Sequence, residues 1–230
     1  MLRKERVNKN RLIRAVIGIL LLFLGLSRSS WKVWAAVPQP VNDSAIVAEG
    51  GIVTTVDDGQ TTVLYNDAPI GGSLIVSTTL TVGPSYGLLT LNSDGTFSYA
   101  HDGTENFSDS FDYWACDATA PTDCASATVS ITVTPVNDAP TANDDSATVA
   151  EGGAVSTVDG TYASVLHDDT DPDSTLTVNT TPVSGPSHGT LILNADGTFS
   201  YTHDGSENFS DSFVYQACDG GTPALCDDAT

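Results

Sequence analysis

The sequence predicts an all-β chain of two tandem antiparallel β-sandwich domains, and three observations predict it. Apolar residues alternate with polar ones, as in Leu191, Leu193, then Phe199, Tyr201, then Phe213, Tyr215, Ala217, which is the period of a strand and not of a helix. Shifting the chain by 102 positions (140 − 38) aligns 38–128 with 140–230 without a gap, and 51 of the 91 aligned residues are identical. Clusters of Gly, Pro, Asp and Asn punctuate each unit about every 8–12 residues, the spacing of short strands in a sandwich.

The first 35 residues precede the duplication. All eight Lys and Arg lie within the first 32 positions, around the apolar run Ala15 to Leu26. A positive start, a short apolar run and small residues ending at Ala35 describe a secretory signal, so 1–35 is read as a signal peptide cleaved after Ala35. The run falls short of the roughly 20 apolar residues a spanning helix needs.

Export on this reading leaves 36–230 with 28 of the 29 carboxylates and no Lys or Arg. Such a chain has no means of binding nucleic acid, since phosphate contacts need clustered cations. Its carboxylates are neutralised by water, solutes or divalent ions.

The units divide as 36–138 and 139–230. In each, "DGT" between two apolar-alternating segments marks a tight hairpin at Asp94–Gly95 and Asp196–Gly197. The pentapeptides "GPSYG" (83–87) and "GPSHG" (185–189) fit the nucleophile-elbow pattern, but a strand follows where the elbow needs a helix. They are expected to be turns entering a strand. Asp94, Asp196, Asp109 and Asp211 are expected to bond nearby backbone N–H groups. The first unit continues through "ASATVSITVTP", whereas the second stops at Thr230, so the second is expected to lack its last strand.

Four cysteines in an exported chain imply a disulfide framework. The equal spacing pairs Cys116 with Cys124 and Cys218 with Cys226. Cys116 is out of phase with Phe111, Tyr113 and Ala115 and is expected to leave the core face. No histidine accompanies either pair at zinc-finger spacing.

The runs "VLHDDTDPDSTLTV", "GPSHGTLILNADGTFSYTHDGSENFSDSFVYQACDG" and "ITVTPVNDAPTANDDSATVAEGG" resemble bacterial immunoglobulin-like and cadherin-like tandem repeats of exported surface proteins. The resemblance implies a non-catalytic structural or adhesive module on the cell surface or secreted, interacting with neighbouring repeats or a surface ligand. It also implies calcium at the domain junction, with ligands Glu49, Asn137, Asp138, Asp171 and Asp173. The linker departs from the cadherin pattern at Pro135 and Ala139, which removes two oxygens. The first unit reads "NDAPIGG" where the second reads "DDTDPDS", so the paired aspartates occur only on the unit that has an upstream neighbour. The alternative function is a carbohydrate-binding accessory module of a larger secreted enzyme. Against it, Trp114 is the single tryptophan after Ala35, and its counterpart is Gln216.

Overall fold

The structure is a computed structural model that describes residues 37–57, 59–69 and 72–230. The expected signal segment therefore lies outside the described residues, among which no helix is long and apolar enough to cross a membrane.

Among the described residues the first repeat forms seven strands: β1 (Asp43–Ala48), β2 (Ile52–Val53), β3 (Leu74–Ser77), β4 (Gly87–Leu91), β5 (Phe97–His101), β6 (Ser108–Asp117) and β7 (Ala120–Thr134). One sheet has the order β1-β7-β6-β3 and the other β2-β5-β4. The alternation in sequence becomes alternation in burial. Phe111, Tyr113 and Ala115 of β6 and Ala127, Val129, Ile131 and Val133 of β7 point inward to meet Phe97 and Tyr99 of β5. Removing such apolar area from water stabilises the fold by about 25 cal/mol per Å².

One pairing departs from the expected antiparallel sandwich: β1 runs parallel to β7, with Asp43 opposite Val129 and Ala48 opposite Thr134. The first and last strands of the unit are joined by the whole intervening domain, and a parallel pair requires just such a long crossover.

The second repeat forms β8 (Ala154–Val155), β9 (Thr177–Val178), β10 (Gly189–Leu193), β11 (Phe199–His203), β12 (Tyr215–Cys218) and β13 (Cys226–Ala229). Its sheets are β10-β11-β8 and β13-β12-β9, around a core of Val158, Val165, Phe199, Tyr201, Tyr215 and Ala217. The last strand is shortened and not wholly missing, because β13 pairs with β12 as the start of β7 pairs with β6. Residues 145–150 form no strand, although "DSATVA" differs from the β1 sequence at one position. Their partner would be the continuation of β13, and what remains is a groove of about 540 Å³ lined by Val149, Phe213 and Tyr215.

Both disulfides are formed as the spacing indicates, each joining two directly opposed residues of an antiparallel pair. Cys116 stays out of the core cluster but is nevertheless 2 % exposed. The hairpin glycines Gly95 and Gly197 have φ of +83° and +77°. A side chain there would also strike Thr62 or Ser164, so two constraints demand glycine.

Candidate functional site

The junction gathers acidic side chains from both repeats. Glu49 follows β1, Glu105 precedes β6, and Asp138 lies between the repeats. One carboxylate oxygen from each lies within 4.8 Å of the other two. The Val136 N–H donates to Glu49 Oε2 at 3.3 Å, and the Asp138 N–H donates to Asp173 Oδ2 at 2.7 Å. Asp173 is held in turn through its own N–H, which donates to Asp171 Oδ1 at 3.0 Å, and the Ser174 N–H donates to the same oxygen at 2.6 Å.

Of the five expected residues, Glu49 and Asp138 meet directly and Asp171 and Asp173 join them through backbone N–H groups. Asn137 reaches the second repeat through its amide nitrogen, which leaves Oδ1, the atom a cation would take, without a hydrogen bond to it. Its Nδ2 donates to Asp219 Oδ2 at 2.6 Å and to the Pro223 carbonyl at 3.4 Å, so its amide ties the linker to the second repeat.

Two residues were missed in the sequence. Glu105 completes the carboxylate triplet, and Asp219 anchors Asn137. Both occur in repeated motifs, "ENFSDSF" and "ACD", but repetition does not show which copy faces the junction. Asp219 is buried, and its carboxyl lies below the usual value. Burial opposes that shift, and bonds from the Leu225 N–H, the Asn137 amide and the Gly221 N–H outweigh it.

The triplet is electrostatically unbalanced. Desolvation, and then the charges of Glu49, Asp173 and Asp138, push the Glu105 carboxyl up. Glu49 Oε1 and Asp171 Oδ2 are buried without a hydrogen-bond partner. Buried carboxylate oxygens cost free energy unless a donor or cation meets them. The donor set is entirely oxygen, which fits a hard cation such as calcium.

The model of the bacterial cadherin-like domain matches this chain twice, over 35–135 and 137–227. The chain belongs to the bacterial cadherin-like domain family. Among solved structures, the cadherin-like pair is similar to mouse cadherin-23 EC22–24, at 19 % identity and a TM-score of 0.50, covering 84 % of this chain and 62 % of that one. It is similar also to human CDH23 EC21–23, at 15 % identity and a TM-score of 0.50, covering 82 % and 70 % respectively. At these identities the likeness is one of fold, and the chain spans 62 % of the length of the mouse structure. No curated protein matches the cadherin-like chain.

The other motifs of these cadherin-like repeats are structural. In the first "GPSxG" turn, Asp109 accepts from the Ser85 and Tyr86 N–H groups at 2.9 Å each; Asp211 does the same for Ser187 and His188 at 2.8 Å. Asp94 and Asp196 each accept from the backbone N–H two residues on, at 3.0 Å. Buried His101 and His203 accept through Nδ1 from paired glycine N–H groups, Gly50 with Gly103 and Gly152 with Gly205.

Proposed function

We propose that this chain is a non-catalytic pair of repeats from an exported protein, acting as a spacer or adhesive contact and stiffened by calcium at the junction between 36–138 and 139–230. The observation that carries this reading is the meeting of Glu49, Glu105 and Asp138 within 4.8 Å, with Glu49 Oε1 buried and unpartnered. Three like charges at that spacing repel in the absence of a cation. Glu49, Glu105, Asp138, Asp171 and Asp173 are the ligands on this reading, and Asn137 with Asp219 fixes the linker that presents them. Two disulfides support an extracellular setting, as does the basic, apolar segment at the start of the sequence. Neighbouring repeats or a surface ligand are its partners.

The test compares calcium with sodium chloride at equal ionic strength, by calorimetric melting and small-angle scattering. Extracellular calcium modules bind with dissociation constants of roughly 0.1–1 mM, and ligand at about 100 times that constant stabilises by about 2.7 kcal/mol. A melting shift and narrowed domain motion with calcium alone, both lost in Asp171→Ala with Asp173→Ala, are expected. Equal effects of the two salts would reduce the junction to general charge screening.

A further inference from the structure

We propose that Asp145, Asp159 and His167 of the second repeat form a binding site for one divalent transition-metal ion of the zinc class, distinct from the junction. One ligand atom from each lies within 4.8 Å of the other two. The Asp145 side chain is 5 % exposed, and neither of its oxygens has a hydrogen-bond partner. A carboxylate so enclosed is costly unless a cation meets it.

The imidazole is placed for that task. His167 Nδ1 lies 3.2 Å from Asp145 Oδ1 and 3.4 Å from Asp168 Oδ1, and Nε2 lies 3.4 Å from Asp159 Oδ2. Neighbouring donors around an ion with bonds of about 2.0–2.1 Å stand about 3.3 Å apart in a tetrahedral site. An ion on Nε2, beside Asp159, leaves Nδ1 to donate to Asp168, the arrangement that orients metal-bound imidazoles. Asp159 Oδ1 accepts from the Ser146 N–H at 3.2 Å and from Ser146 Oγ at 2.8 Å, so Oδ2 is left for the cluster. The Tyr162 ring stacks on the imidazole at 4.1 Å and fixes its plane.

The duplication supplies an internal control. The first repeat has the same carboxylates, Asp43 and Asp57, but Tyr65 and Asn66 where the second has His167 and Asp168. There the Tyr65 hydroxyl donates to Asp57 at 3.1 Å and the Asn66 amide donates to Asp43 at 3.1 Å. Neutral donors meet one oxygen of each carboxylate in the first-repeat cluster, and Asp43 Oδ2 alone stays without a partner, against both oxygens of Asp145. In the second, both donors are replaced by ligand types. Imidazole with carboxylates suits zinc-class ions, whereas calcium takes six to eight oxygens.

The test titrates zinc into the chain by calorimetry, with calcium held in excess at about 5 mM to occupy hard-oxygen sites. Cobalt absorption and ¹⁵N shifts of the His167 ring report the ligand. One zinc per chain is expected, with the His167 signals moving on binding. His167→Tyr, which installs the first-repeat residue, and Asp145→Asn are each expected to weaken zinc at least about 100-fold. Their calcium-dependent melting shift is expected to be unchanged, which separates this site from the junction. Equal zinc affinity in wild type and both variants would assign the binding to scattered carboxylates and overturn the proposal. Absence of zinc binding would overturn it too, leaving His167 itself as the cation that meets the three aspartates.

Discussion

The Tyr201 hydroxyl donates to Asp211 at 2.9 Å, and the same carboxylate holds the backbone of the "GPSHG" turn. The first repeat reproduces this with Tyr99 and Asp109 at 2.9 Å. Burial opposes ionisation of Asp211, but bonds from Ser187, His188, Tyr201 and Ser212 outweigh it and hold the carboxyl at about 2. Asp211→Ala is expected to destabilise the second repeat by about 2 kcal/mol at neutral pH, since it strips a charged acceptor from several donors. Denaturant unfolding of the variant checks this. The folded value lies below the unfolded one, so the contribution is present above about pH 4 and is lost as pH falls through about 2.

Asp43 has the opposite sign. Burial pushes its carboxyl up to about 7, with Tyr113 opposing and Asp57 and Asp67 adding to the shift. The folded state holds a proton that the unfolded chain releases, so stability declines as pH rises from about 4 to about 7. Asp43→Asn is expected to flatten that decline and to stabilise the first repeat by about 1–3 kcal/mol above pH 7. Unfolding midpoints measured across that range in chelator are the check, and a variant with an unchanged slope would assign the decline to other groups.

The groove beside Val149, Phe213 and Tyr215 is the place that β7 fills in the first repeat. Extending the chain after Thr230 with the sequence of Val129–Pro135 places three apolar residues in phase with that groove. The extension is expected to raise the unfolding midpoint of the second repeat and to induce strand structure at 145–150. A strand at 145–150 needs a partner for its backbone groups. Amide exchange at 145–150 follows the pairing directly, and unaltered exchange would show that the strand does not seat.

Gly221 leaves no room for a side chain against the Asn137 amide. Gly221→Ala is expected to displace Asn137 from Asp219, to broaden the interdomain distribution seen by small-angle scattering and to weaken the calcium response several-fold, with each repeat melting as before. Asn137→Ala in the same background relieves the clash without restoring the lock, so stiffness is expected to stay low. Full calcium response in Gly221→Ala would show that the linker is positioned by other contacts.

Much of the candidate acidic cluster was legible because its carboxylates stand in short motifs. Glu49, Asp138 and Asp173 come from "VAEGG", "PVNDAP" and "DTDPDS", and the structure links them through the Glu49–Asp138 approach and the Asp138–Asp173 bond. Glu105 was illegible, because its motif occurs in both repeats and only packing shows that one copy reaches Glu49. Asn137 reads as a ligand by type, and nothing in its motif shows that its Nδ2 meets Asp219, 82 residues away. The environment of His167 was equally hidden, since in sequence it is a histidine opposite a tyrosine.

By itself, the sequence determined what depends on neighbours along the chain. Alternation chose the inward faces of β6 and β11, "DGT" fixed the hairpins, and the equal cysteine spacing matched the cross-strand pairs. Tertiary structure decided what depends on distant partners. Asp43–Ala48 is a strand, whereas 145–150, nearly the same sequence, is not. A strand's N–H and C=O groups are satisfied by another segment of chain, and β7 supplies that segment to β1 alone. In the second repeat one trace remains, the Asp145 N–H donating to the Thr230 carbonyl at 2.9 Å.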